Sequence, residues 1–211
     1  MKALLRYAIV KGIREKHLIA VVFGPAILIG TVGIGFIVRS LVTGHAFGDT
    51  TIVEKLGSAL IEVGALSAVI AGGGGTFRVF RKELADRSVA SLVLASRPSM
   101  IVLAAMIYGV TSGVIALVLA LLTAGAVTFS SAFPLPMFLY GCFAIIVATA
   151  AAIAACSISP DPAVLVPSLI IMLPLSVSIE MQKMPALIAG AVILFVLPPI
   201  ASFLVERRCA A

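Results

Sequence analysis

The chain has 211 residues, of which 62% are hydrophobic and 11% charged, whereas soluble domains run about 45–50% apolar and about 25% charged. A mean hydropathy of +1.24 is more than a soluble globule of this size can hide from water, because part of any core stays at the surface. That excludes a soluble enzyme, a secreted disulfide scaffold and a disordered protein, and it leaves an all-α polytopic membrane protein.

A spanning helix needs roughly 20 apolar residues, so the length holds about six spans with short connections and no soluble catalytic domain. The net charge is +6. The basic residues crowd at predicted membrane edges, so they read as topology signals and not as a nucleic-acid patch.

Residues 1–16 carry Lys2, Arg6, Lys11, Arg14 and Lys16 among Leu4, Leu5, Ile9 and Ile13. This predicts an N-terminal interfacial helix ahead of a six-helix transmembrane domain over residues 17–211. The first span is expected at His17–Leu41, with Gly30, Gly33 and Gly35 suited to close packing. Its apolar run is too long for a signal-peptide core and no clear cleavage site follows.

The second span is expected at Ile52–Gly73. It runs into Gly72, Gly73, Gly74 and Gly75, and four glycines are expected to end a helix, each costing about 1 kcal/mol relative to Ala. The long polar stretch after them, Thr76–Ser88, puts Phe77, Phe80 and Leu84 on one side of a short amphipathic helix. It lies in a cytoplasmic segment, 76–97, that closes at Arg97-Pro98. Further spans are expected at Ser99–Ala124, Pro136–Cys156, Ala163–Ile179 and Pro185–Val205. The fifth is short and carries Pro167 and Pro174.

With both termini in the cytoplasm, twelve of the 15 Lys and Arg residues face inward, and Arg39, Lys55 and Lys183 do not. The opposite orientation would invert that ratio, so N-in, C-in is expected, in the inner (cytoplasmic) membrane.

No chemistry of an enzyme is visible. A G-x-x-x-x-G-K-[ST] phosphate loop is absent, as is H-E-x-x-H. His17 and His45 fall on opposite sides of the predicted membrane. Cys142, Cys156 and Cys209 lack metal-ligand spacing. No catalytic, metal or cofactor residue is therefore expected. Glu62 lies inside the second span. A carboxylate there marks a functional site by default, and the alternative is a neutral or hydrogen-bonded glutamate that packs two helices together.

The stretch Arg81-Lys-Glu-Leu-Ala-Asp-Arg-Ser-Val-Ala-Ser-Leu-Val-Leu-Ala-Ser-Arg-Pro-Ser99 resembles the cytoplasmic segment of ABC-2 type transporter permeases. Leu92, Val93, Leu94, Ala95, Ser96, Pro98 and Ser99 fit that family's pattern. Ser88, Val89 and Ala90 replace its usual triplet, and Ser91 stands where Glu is common. Ser168-Leu-Ile-Ile-Met-Leu-Pro-Leu175 is similar to the fifth-span region of the family, haem-exporter-like permeases included. The resemblance implies a permease subunit of an ATP-driven exporter, paired with a second permease and with cytoplasmic ATPase subunits that carry ATP and Mg. It implies a coupling helix that docks on the ATPase, with Phe80, Arg81, Lys82, Glu83, Leu84 and Arg87 as docking residues. Gly72–Gly75 would then be its hinge, and Glu62 a candidate for the path of a hydrophobic or amphipathic substrate. A secondary transporter or channel using Glu62, and a non-transporting membrane scaffold, are the alternatives.

Overall fold

A computed structural model describes residues 2–14, 17–43, 50–85, 98–128, 135–159 and 184–210. Among them the chain is all helical: α1 Lys2–Arg14, α2 His17–Thr43, α3 Thr50–Ala85, α4 Pro98–Thr128, α5 Leu135–Ile158 and α6 Met184–Ala210. Four helices contain stretches long and apolar enough to cross a membrane: Gly57–Arg81, Ser99–Thr128, Leu135–Ile158 and Gly190–Arg207. Helix α2 adds a shorter apolar stretch, Phe23–Arg39. The architecture fits a helical multi-pass membrane protein. The expected fifth span, Ala163–Ile179, lies outside the described residues.

Close contacts fix the direction of each helix. A Cβ added at Gly141 would meet Leu117, one at Gly113 would meet Ile145, and one at Gly109 would meet Thr149. Each step of four forward on α5 is a step of four back on α4, so the two run antiparallel. Gly57 faces Thr128, Gly64 faces Ala120 and Gly72 faces Gly113, which makes α3 antiparallel to α4 as well. Gly30 and Gly33 of α2 meet Thr123 and Val127, a parallel pairing. Gly190 of α6 faces Phe143 of α5, and Leu197 packs on Val147 and Ala151, which is parallel again.

The consequence is a bundle with two distinct ends. One end gathers Leu4 and Ala8 of α1, Phe77 and Phe80 of α3, Ile101 of α4, Cys156 of α5 and Val205 of α6 in one buried cluster. The other end packs Ile29, Leu60, Ala120 and Ala124. Basic side chains follow the same division. Lys2, Arg6, Lys11, Arg14, Arg78, Arg81 and Arg207 belong to the α1 end, and Arg39 to the far end.

The glycine run does not end its helix. Helix α3 continues unbroken from Thr50 to Ala85, past the expected stop at Gly73. Two effects outweigh the poor helix propensity of glycine. A broken backbone inside a membrane would strand unsatisfied N–H and C=O groups. The missing side chains also let neighbouring backbones approach: a Cβ on Gly72 would lie 3.1 Å from Gly109 O, 3.1 Å from Ile145 Cγ2 and 3.5 Å from Gly113 Cα. Small residues at membrane helix contacts work in this way.

The buried polar side chains in this packing are Thr76, Ser112, Thr149 and Ser157. Each donates to a carbonyl one turn back on its own helix: Thr76 Oγ1 to Gly72 O at 2.8 Å, Ser112 Oγ to Gly109 O at 3.1 Å, Thr149 Oγ1 to Ile145 O at 2.7 Å and Ser157 Oγ to Ile153 O at 2.9 Å. Their hydroxyls are satisfied locally, so these hydrogen bonds do not hold the helices together; close packing does.

Two glycines therefore respond oppositely to alanine. At Gly113 the new methyl would lie 2.5 Å from Ile145 Cγ2 and 3.3 Å from Gly72 Cα, so Gly113→Ala is expected to destabilise by roughly 1–3 kcal/mol. At Gly74 nothing lies within 4 Å, so Gly74→Ala is expected to stabilise by up to about 1 kcal/mol through helix propensity. Thermal unfolding of both variants in one detergent checks the pair. Shifts of the same sign would contradict the packing described here.

Candidate functional site

Helix α3 carries most of the residues that the sequence singles out. Its buried side holds Ala65, Ala68, Val69, Thr76, Phe77, Val79 and Phe80. Its opposite side runs through Ala59, Val63, Ile70 and Arg78, all exposed, with Leu66 and Gly74 half-buried. These positions recur at helical spacing and form one stripe along the span.

Glu62 is exposed and borders this stripe. It does not pack two of the described helices together, which was the structural alternative for it. Helix α3 begins at Thr50, so the expected start of the span at Ile52 lies within it. Glu62 is therefore about 10 Å along the axis from Lys55 and about 24 Å from Arg78, at 1.5 Å per residue. Of these two flanking charges Lys55 is the nearer, so Glu62 lies in the half of α3 remote from α1.

The candidate docking residues start at the basic end. Phe80 is buried, with 1% of its surface exposed, and packs edge-on against Tyr108 with ring centroids 6.0 Å apart. Its ring is thus held inside the chain's own core and not presented on a surface. Phe77 is buried beside it. The apolar face expected on a separate amphipathic helix is the last part of α3, turned inward. Arg81 is half-buried. Lys82, Glu83 and Leu84 continue the α3 backbone, and their side chains lie outside the described residues, as do Arg87 and the rest of the segment to Arg97. Of the proposed hinge, Gly72, Gly73 and Gly75 are buried and Gly74 is half-buried.

One tie at this end was not anticipated. Lys11 of α1 donates from Nζ to Val79 O of α3 at 2.6 Å, and its ammonium lies 5.7 Å from the centre of the Tyr7 ring. With Ala8 and Leu4 buried one and two turns earlier, this fixes α1 against the basic end of α3. Spacing did hold a clue. Leu4, Ala8, Lys11 and Gly12 fall on one helical face, and a lysine there must send its charge to an acceptor. The contact on α3 was not readable, because nothing local links residues 11 and 79.

The seam partners were more legible. Gly109 and Gly113 form a G-x-x-x-G pair in an apolar helix, the spacing of close helix contact. Gly72 and Thr76 repeat it with small residues on the facing helix. Among the described residues no group of His, Cys, Asp and Glu is placed to hold a metal ion. Cys142 and Cys156 are not joined in a disulfide, and Cys156 Sγ donates to Phe77 O at 3.9 Å.

Comparison with known protein families, curated proteins and solved structures gives no match to this chain. The fold and the site define its class by themselves: a helical protein of the multi-pass membrane type, with an outward-facing carboxylate on one span and a basic end organised around the N-terminal helix.

Replacing the Lys11 tie tests how firmly α1 is held. Lys11→Met keeps the apolar stem and removes a charge-assisted hydrogen bond, so it is expected to cost roughly 1–2 kcal/mol. Thermal unfolding in mild detergent reads this directly, and an unchanged midpoint would contradict the contact.

Proposed function

We propose that this chain is the membrane-spanning permease subunit of an ATP-driven ABC exporter. It contributes to the translocation path of a hydrophobic or amphipathic substrate, and separate cytoplasmic ATPase subunits with ATP and Mg supply the energy. The observation that carries this reading is the exposure of Glu62 on the outer side of α3. The buried interior is filled by alanine, aliphatic and aromatic side chains, and its hydroxyls are bonded to their own helices. A polar path therefore belongs on an outer face, completed by another copy or another permease. A carboxylate left against lipid within a span is costly, most of all toward the helix centre, which favours a partner or an aqueous cavity beside it.

Helix α3 gives the proposal its mechanics. One continuous helix runs from the Glu62 region to Ala85 and carries the first of the proposed docking residues, from Phe80 on, at its end. Movement of that segment by the ATPase would reach the Glu62 face along a stiff element. Docking then rests on Arg81, Lys82, Glu83, Leu84 and Arg87, with Phe80 anchoring the segment's root in the core. In this reading α3 moves as one rod, so the hinge that the resemblance implies at Gly72–Gly75 is not required to bend, and Gly74 is the position where an added methyl meets nothing. The proposal includes six spans, with the chain crossing once between Ser159 and Met184. It places the α1 end and both termini in the cytoplasm, the side that basic residues favour, in the inner membrane.

A second reading draws on the same carboxylate: a secondary transporter or channel that uses Glu62 as an ion or proton site and needs no ATPase. Purification of the tagged chain in mild detergent, with mass spectrometry of what accompanies it, separates the two. The proposal expects a near-stoichiometric soluble ATPase that is lost on charge reversal at Arg81, Lys82 and Glu83. Recovery of the chain with no ATPase, under conditions that keep membrane complexes intact, would contradict it. Within an intact complex, Glu62→Gln is expected to lower transport while leaving thermal stability within about 0.5 kcal/mol, as for an exposed side chain away from the core. Unchanged transport would remove Glu62 from the path.

A further inference from the structure

Outside the α3 stripe, a concave cleft lies between α1, α2 and α4. Its volume is about 670 Å³, inside the roughly 300–1,000 Å³ range of ligand sites. Leu5, Ile9 and Ile13 of α1 form one wall, Phe23 of α2 a second, and Ile107 and Ile115 of α4 the floor. Eight residues separate the ends of the wall and of the floor, so the cleft is about 12 Å long at 1.5 Å per residue. The polar groups along it are hydroxyls, those of Tyr108, Thr111 and Ser112, and Ser112 Oγ is already donated to Gly109 O. Such a surface suits a hydrocarbon chain and offers almost nothing to a polar ligand.

The rim differs in kind from the cleft. Lys2 and Arg6 are exposed. They share a helical face with Leu5, Ile9 and Ile13, since Lys2 precedes Leu5 by three residues and Arg6 by four. Helix α1 contains no acidic residue to offset them. An apolar slot with two cations at one end matches a molecule with an acyl chain and an anionic head.

We infer that this cleft is a selective site for an anionic phospholipid. One acyl chain lies between α1, α2 and α4, and the phosphate pairs with Lys2 and Arg6. The inference does not rest on the ABC reading and would stand beside either kind of transporter. It also separates the cleft from ordinary lipid contact, which the exposed apolar side chains of the other helices provide without a preference for charge.

The chain contains no tryptophan, so Phe23→Trp creates a single reporter inside the cleft. Phe203, 60% exposed on α6 at the same end of the bundle, supplies the control as Phe203→Trp. The full-length chain is placed in phosphatidylcholine vesicles with a minor fraction of phosphatidylglycerol, either lipid carrying brominated acyl chains that quench tryptophan. The inference expects brominated phosphatidylglycerol to be enriched at residue 23 over residue 203, by roughly five-fold for each basic residue engaged. Lys2→Gln with Arg6→Gln removes that enrichment. Equal quenching at the two positions, or enrichment that survives the double substitution, would overturn it. Native mass spectrometry of the unmodified chain makes the same comparison without a reporter: phosphatidylglycerol is retained in preference to phosphatidylcholine, and equal retention would overturn the inference.

Discussion

The close approach of α3, α4 and α5 at Gly72, Gly109 and Gly113 is the contact on which the rest of the bundle depends. These three positions have no side chain, and Ile145 and Thr149 of α5 fill the space that results. Lipid is as apolar as a leucine core, so burial of apolar area does not drive membrane helices together. Tight packing does. Once α3 lies against both α4 and α5 at this close distance, the register of all three is set, and the two ends of the bundle are defined. Helix α1, the far-end cluster and the cleft all take their positions from that register.

The same constraint explains why the glycine run is helical. Read locally, four glycines are a break. Read in the bundle, they are the part of α3 that allows α4 to come near, and in a membrane the backbone has no water to bond to if it opens. Helix α3 thereby becomes a single element of 36 residues, joining the face that carries Glu62 to the basic end. Phe77 and Phe80 follow the same logic. On a separate surface helix they would be knobs for a partner, but as a continuation of α3 they reach the cluster under α1.

Much of this was legible in residues read one segment at a time. Apolar run lengths placed the starts of α2 to α6 to within two residues, but not every end: the second span was expected to stop at Gly73, and its helix runs on to Ala85. Pro98 marks the start of α4, where its missing N–H is tolerated. Gly109 and Gly113 announce a close contact by their spacing. What could not be read were relations between distant segments: the hydrogen bond from Lys11 to Val79, the inward turn of Phe80, and the exposure of Glu62. Each depends on which helix lies next to which, and hydrophobic periodicity is weak in helices that are apolar on every side. The cleft is of the same kind, since its walls come from three helices, with lining residues as far apart in sequence as Leu5 and Ile115.

The central claim is that α3 is one stiff helix from the Glu62 region to the start of the proposed docking segment. Spin labels at residues 63 and 81, introduced with the native cysteines replaced, measure this directly in the reconstituted chain. An unbroken helix predicts a single narrow distribution consistent with a backbone separation of about 27 Å, from 1.5 Å per residue. A markedly shorter distance, or a broad one, would mean that the helix breaks at Gly72–Gly75 and would contradict the account.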